Sequence, residues 1–501
     1  MTKSESRPVL LRNAILLATV AFGVRAMAVG IYVRAYDHHE ESPSIAAVTG
    51  APTHAMIKGD AVKYYRGGAA IAEQIRAGEN LFLAGSRHAG PVLYQRVVAA
   101  FALVTGKIQI GDDGRVPRGQ ILGFLLFQSL LFSVCLVPFF VQLAAVAGRP
   151  LAFGATALLG LEPTLVQYSA MMLTEALFMA LGILALSVWF RICRRRGSLP
   201  TEEWGWLVLL GFMLGLMFLQ RPQSILLPAV FIVGLLAQAR WRFDGAFLQA
   251  AGLVVLPYVA VLALLGLHNQ GRAGIFYIVP MQAAYGWQQY LGNRVIAEVN
   301  GTDPAHERER LGEQALDRAK TEGWVADHVD DVDDATERAE RRVYEIYKEQ
   351  AFEIFGDHPL IALRIATVET AGSLVLNLTW PFRFYSNTYK SALAEEERLR
   401  QVQRRRHKPA TIIYSLLILV PAAAGWLLFR EALPTPINIV LVLSIVYFTA
   451  TGGWLGNPRY TLPNLLFYAA YWSAFVVSLG QRLAEPSELG GPPAQTVNTA
   501  R

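Results

Sequence analysis

The chain has 501 residues, 53% hydrophobic and 17% charged, with a formal net charge of +6 and a mean hydropathy of +0.33. Soluble domains carry about 25% charged residues, so this composition excludes a soluble globular fold. The apolar residues gather in long runs instead of short alternating segments, which excludes a β-barrel and predicts an all-α, polytopic membrane protein.

The first run, 10–32, follows Lys3, Arg7 and Arg12. It is too long for the apolar core of a signal peptide and lacks a small-residue cleavage site, so it is expected to stay as the first span. A loop, 33–118, comes next. After Lys58-Gly59 and Asp60, the residues Tyr64, Tyr65, Ala69, Ile71, Ala72 and Ile75 share one helical face, while Lys63, Arg66, Glu73 and Arg76 fall elsewhere. That pattern predicts a helix near 60–77 lying along the membrane surface, ended by Gly78 and Asn80. Past Arg87-His88-Ala89-Gly90-Pro91, a second helix is expected near 91–105, too short to span comfortably.

Further runs at 119–147, 151–166, 171–190, 204–220, 223–239, 246–266, 360–380, 409–429, 436–451 and 460–480 bring the expected spans to about 11, within 9–13. Glu162-Pro163 and Arg221-Pro222 break two pairs of them, which suits short spans or re-entrant elements lining a cavity. The chain divides into a membrane core with its outer loop (1–266), a charged loop (267–359), C-terminal spans (360–482) and a Pro- and Gly-rich tail (483–501) expected to be disordered.

The basic clusters Arg191–Arg196, Arg240 with Arg242, and Arg404–Lys408 sit beside apolar runs, whereas 267–359 holds 18 Asp and Glu against 10 Lys and Arg. Positive loops face the cytoplasm. This puts the N-terminus inside a plasma or inner membrane and the loops 33–118 and 267–359 outside; it also gives the net charge a membrane rather than a nucleic-acid meaning. Parity places 381–408 inside. The stretch 303–355 reads as solvated helix. Asp327, Asp330, Asp331, Asp333 and Asp334 lack the spacing, glycine and final glutamate of a calcium loop. Cys135 and Cys193 lie in or at the end of spans and support neither a disulfide nor a thiolate metal site. No internal repeat is evident.

Ionisable residues at span breaks and boundaries are functional candidates; here they are Glu162, Glu175 and Arg221. Each has a plainer reading as well: a boundary acid is cheap, an arginine can snorkel, and Asp60 can cap the helix it precedes.

The order of a first span, Gly59-Asp60 opening a Tyr-rich helix, Gly90-Pro91 entering a second helix, and Met171-Met172-Leu173-Thr174-Glu175-Ala176-Leu177-Phe178 opening a later span resembles the GT-C superfamily of membrane glycosyltransferases. The nearest branch is that of protein O-mannosyltransferases and the lipid A aminoarabinose transferase. Asp357-His358-Pro359-Leu360 and Asn457-Pro458-Arg459-Tyr460-Thr461-Leu462-Pro463 are similar to further family motifs. The resemblance implies sugar transfer from a polyprenyl-phosphate donor to a lipid, glycan or protein acceptor on the outer face. It implies Asp60 as general base, contributing about 10²- to 10⁴-fold, with Glu175 as a second catalytic residue. Many relatives carry a second acid where this chain has Ala61, so the resemblance does not extend to a paired-carboxylate role there. A departing lipid phosphate needs cations or donors near the membrane surface; Arg66, Arg87, His88 and Arg221 are the candidates, with Tyr64 and Glu162 beside them in substrate binding. No cofactor or metal is expected. Arg459 and Tyr460 match the family, but parity sets them inside, away from this site. A transporter or lipid flippase and a non-catalytic envelope-assembly protein are the competing classes; a transporter does not require the 86-residue loop 33–118 with two surface helices, and loss of transfer with intact assembly on mutating Asp60 separates the other.

Overall fold

The computed structural model describes residues 7–40, 60–80, 84–85, 92–106, 118–170, 174–194, 203–274, 276–278, 286–326, 337–374, 412–428, 430, 433–453 and 461–484. Among these there is helix and no strand. Five helices are long and apolar enough to cross a membrane: the stretches Pro8–Ile31, Gly119–Ala147, Thr174–Cys193, Gly245–Arg272 and Thr435–Gly452. The protein is therefore an all-α, multi-pass membrane protein.

In chain order, α1 (Arg7–Glu40) is followed by the two short helices foreseen in the first loop, α2 (Asp60–Arg76) and α3 (Val92–Thr105). The core continues with α4 (Arg118–Ala147), α5 (Arg149–Leu161), α6 (Pro163–Ser169), α7 (Thr174–Cys193), α8 (Trp204–Gln220), α9 (Leu227–Gln238) and α10 (Gly245–Ala273). Each boundary has a local cause. Gly148, at φ +86°, separates α4 from α5, with Pro150 in the first turn of the latter. The Asp244 side chain accepts from the Phe247 N–H at 2.9 Å and starts α10; Gly274, at φ +69°, closes it.

Small residues let neighbouring helices close on one another. Gly211 on α8 lies against the Val254 backbone of α10, and Gly215 against Val261, so a side chain at either would force the pair apart. Four further helices of the described chain, α11 (Asn293–Asn300), α12 (Pro304–Thr321), α13 (Glu337–Asp357) and α14 (Pro359–Leu374), form a layer after α10 with two small apolar clusters of their own. Then come α15 (Ile412–Leu428), α16 (Thr435–Gly452) and α17 (Asn464–Ala484). Gly425 of α15 abuts the Tyr471 backbone of α17.

Of the expected span 360–380, the described residues are those of α14 up to Leu374, and 375–380 lie outside them. Ala362 packs with the outer layer, Thr370 lies against Gly453, and the Ser373 carbonyl accepts from the Thr461 hydroxyl at 2.6 Å. Gly453 and Thr461 belong to the bundle end where the Tyr447 hydroxyl donates to the Gln223 carbonyl. The described part of α14 packs at that end. Residues 483–501 lie, from 485 on, outside the described residues.

Candidate functional site

One end of the bundle collects the far end of α1, the helices α2 and α3, the start of α4, the end of α6, the start of α7, the end of α8 and the end of α10. Asp60 is the first residue of α2; its side chain lies outside the described residues. Four and five residues on, Tyr64 and Tyr65 turn inward. Tyr64 packs edge-on against Tyr94 of α3 with ring centroids 5.7 Å apart. Gly68 permits this pairing, because a Cβ there would meet Val98 Cγ1 at 2.5 Å. The Tyr94 hydroxyl donates to Gln128 Oε1 at 2.9 Å, and Gln128 Nε2 donates to the Ser169 carbonyl at 3.2 Å. A chain of side chains so runs from the helix that Asp60 opens to the last turn of α6. Arg66 is exposed, away from this contact.

Beyond α6, Glu175 stands in the first turn of α7, fully buried. Arg221 ends α8: Pro222 cannot continue that helix, and the residue before it is driven to an extended conformation, here φ −148° and ψ 110°. This aims the guanidinium back at α7, where Arg221 Nη2 meets Glu175 Oε1 at 3.3 Å, both side chains nearly inaccessible. The neighbouring Gln220 Nε2 donates to the Thr174 carbonyl at 2.9 Å, and Phe178 lies 5.9 Å from the guanidinium carbon. Below the pair, Tyr447 and Tyr258 tie α16 and α10 to the break through the Gln223 and Ile225 carbonyls. Replacing a buried ion pair with apolar residues is often neutral or stabilising, whereas removing one partner alone is costly.

Glu162 is buried but is not brought to Glu175. It caps α6, accepting from the Leu165 N–H at 2.6 Å, and takes a short hydrogen bond from the Tyr414 hydroxyl of α15. Beside it is a residue absent from the sequence-derived set. Arg25 of α1 is fully buried, with Nε on Ser169 Oγ at 3.1 Å, Nη2 on the Leu159 carbonyl at 3.1 Å, Nη1 on the Gly160 carbonyl, and the guanidinium 4.1 Å from the Phe132 ring. It satisfies the carbonyls that Pro163 leaves without helical partners. An arginine in the middle of the run 10–32 was the signal that sequence reasoning passed over.

A second omission is Arg272. It ends α10 against Gly85, and its charge acts on that of Arg96 of α3. Arg96 reaches the Ala84 carbonyl at 3.2 Å, and Gln74 exchanges two hydrogen bonds with the Gly85 backbone. The loop leading to Arg87 and His88 is thereby held against α2, α3 and α10. Arg87 and His88 themselves, like Arg459 and Tyr460, lie outside the described residues. Thr461, the next residue, donates from its hydroxyl to the Ser373 carbonyl at 2.6 Å. Among the described residues no three His, Cys, Asp or Glu side chains gather as a metal site.

Residues 119–264 match the family model described as dolichyl-phosphate-mannose-protein mannosyltransferase. The resemblance to the GT-C superfamily and its protein O-mannosyltransferase branch is thus borne out on that segment, which contains Met171–Phe178 and Arg221; Asp60, Gly90-Pro91 and the two late motifs fall outside it. Among solved structures, the Archaeoglobus fulgidus oligosaccharyltransferase tethered with an acceptor peptide matches at TM-score 0.45 and 13% identity, over 91% of this chain and 49% of that one. The same organism's AglB with an inhibitory peptide and dolichol-phosphate matches at TM-score 0.44 and 13% identity, over 91% and 50%. ArnT from Cupriavidus metallidurans, bound to undecaprenyl phosphate, matches at TM-score 0.34 and 13% identity, over 94% and 79%. The chain spans about half the length of the archaeal enzyme. No curated protein matches by sequence.

Proposed function

We propose that the protein is a membrane glycosyltransferase that passes a sugar from a polyprenyl-phosphate donor to an acceptor on the extracytoplasmic side, with Asp60 as general base. One observation carries the reading. Residues far apart in sequence are gathered at a single bundle end: the helix that Asp60 opens is tied through Tyr64, Tyr94 and Gln128 to the segment before Glu175, and Glu175 holds Arg221. A carboxylate at the water–membrane boundary can take the proton of an acceptor hydroxyl as it attacks the anomeric carbon. The leaving lipid phosphate keeps its tail in hydrocarbon and offers its anion at the boundary, where Arg66 and Arg221, with Arg87 and His88 of the loop after Gly85, are its proposed partners. Charge-assisted donors stabilise the phosphate most as its charge develops.

The mannosyltransferase family and the lipid-phosphate-bound structures support a lipid-linked donor of this kind. A blocked transferase backs up its donor, so mass spectrometry of lipid-linked sugars in a deletion strain tests the function and names the sugar. Accumulation of one polyprenyl-phosphate sugar is expected, reversed by the wild-type gene and not by the Asp60→Asn variant. An unchanged lipid-linked pool removes the proposal.

A further inference from the structure

The turn between α9 and α10, residues 239–244, is the one place among the described residues where side chains other than glycine's hold a left-handed backbone: Arg240 at φ +54° and Trp241 at φ +62°. The local geometry is that of an ordinary helix end. The Trp241 N–H donates to the Leu236 carbonyl at 2.8 Å and the Arg240 N–H to that of Ala237 at 3.0 Å, the pattern in which the left-handed position usually falls to glycine. Here the chain reads Arg240-Trp241-Arg242-Phe243 instead. All four are exposed, Trp241 to 58% and Phe243 to 74%. Strain kept for side chains that pack on nothing inside the fold points to a use outside it.

The turn's place is fixed from two directions. It leads directly into the candidate span Gly245–Arg272, whose other end, Arg272, lies against Gly85. Within that span the Tyr258 hydroxyl donates to the Ile225 carbonyl at 2.7 Å, and the helix from Tyr258 back to Gly245 is about 20 Å long at 1.5 Å per residue. The turn therefore stands at the membrane face opposite the Arg221 break. Helix α8 begins at this same face, because its Gly211 and Gly215 meet Val254 and Val261 of α10 in the same chain order. There Arg191 lies 5.9 Å from the exposed Trp206 ring, a second arginine–aromatic pairing at this face.

The chemistry of the turn selects its partner. Its acid, Asp244, is committed to capping α10 through the Phe247 N–H, and among the described residues neither Arg240 nor Arg242 meets a carboxylate. Guanidinium groups bind phosphate, while exposed tryptophan and phenylalanine beside a span enter the headgroup layer. Net negative charge on that layer is what draws cations to it. We propose that Arg240, Trp241, Arg242 and Phe243 bind the headgroup of an anionic phospholipid at the membrane face opposite the Arg221 break. The site rests on the multi-pass fold and is independent of the glycosyltransferase reading.

The test titrates full-length protein in detergent micelles with phosphatidylglycerol or phosphatidylcholine of the same acyl chains, read by native mass spectrometry. Tighter, saturable retention of phosphatidylglycerol is expected. Arg240→Gln combined with Arg242→Gln should weaken it about ten-fold. Arg240→Gly separates lipid binding from folding: it relieves the left-handed position, so the thermal midpoint should hold or rise, while retention of phosphatidylglycerol falls about five-fold. Equal retention of the two lipids, unchanged retention in these variants, or displacement of the retained lipid by inorganic phosphate overturns the site. A thermal midpoint that falls in Arg240→Gly along with retention would make the turn structural and overturns it as well.

Discussion

Two sets of arginine–carboxylate contacts, one in the membrane core and one in the outer layer, use the same groups to different ends. Arg221 and Glu175 meet at 3.3 Å with almost no access to water. Arg342 grips Glu322 at 2.6 Å and reaches Glu349 at 3.2 Å, Arg318 joins Glu349 at 2.7 Å, and these side chains are partly to well exposed. Desolvation makes the first pair expensive to assemble and costly to break singly. Water screens the second set and leaves it a modest clamp between α12 and α13. The first pair is buried charge at a helix break, the proposed transfer site; the second, on regular helices, holds two of them in register.

The largest expected effect concerns Asp60, which stands at the head of α2. Asp60→Asn should lose about 10²- to 10⁴-fold in turnover while insertion and accumulation remain normal, measured as transfer from synthetic polyprenyl-phosphate sugar by purified protein. Activity within a few-fold of wild type would reduce Asp60 to a helix cap. The side of the membrane is checked separately through Glu79→Cys, an exposed position next to α2. An impermeant thiol reagent should label it from outside, since the native Cys135 and Cys193 are buried.

The buried pair gives the next effect. Arg221→Met strands Glu175 and should destabilise the protein by about 3–5 kcal/mol, seen as a fall in thermal midpoint in detergent. Adding Glu175→Leu should return most of that stability without returning transfer. A double variant that recovers both would make the pair structural and erase the contrast with the outer layer. Somewhat smaller is the effect of the cations nearer water. Arg87→Ala and His88→Ala should each cost about ten-fold in use of the lipid donor, divided between turnover and KM because the phosphate leaves with developing charge. Unchanged constants in both would move the phosphate toward Arg96 and Arg272.

Much of this was readable in the sequence where a local pattern carries it. The apolar face of Tyr64, Tyr65, Ile71 and Ala72 set α2, the prolines at 163 and 222 set the two breaks, and runs of lipid-facing length set the spans. What local pattern cannot carry is which distant groups meet. Arg221 and Glu175 are 46 residues apart, and Arg25 reaches Ser169 across 144; only helix packing brings them together. The π-helical turn Trp287–Gly292 leaves no trace in periodicity at all, since one extra residue per turn is indistinguishable from an ordinary helix over so short a stretch.

The smallest effect belongs to the outer clamp, and it is a pH effect. Hydrogen bonds from Arg342 and then Arg318 hold the Glu322 carboxyl down at about 2, against an ordinary value of 4.5. A carboxyl lowered in the folded state adds stability above its unfolded value and loses it as pH falls toward the folded one. The clamp should therefore be intact at neutral pH and weaken between about pH 4.5 and 2. Hydrogen exchange in α12 and α13, corrected for its intrinsic pH dependence, should speed up across that window, while exchange in α7 and α8 around Glu175 and Arg221 should not. Glu322→Gln should abolish the pH dependence in the outer helices, and salt at 1 M, with a screening length of about 3 Å, should blunt it. If α12 and α13 hold their exchange rates down to pH 2, the clamp is not what keeps them together, and the small apolar cluster of Ala315, Ala319, Val343 and Ile346 does so alone.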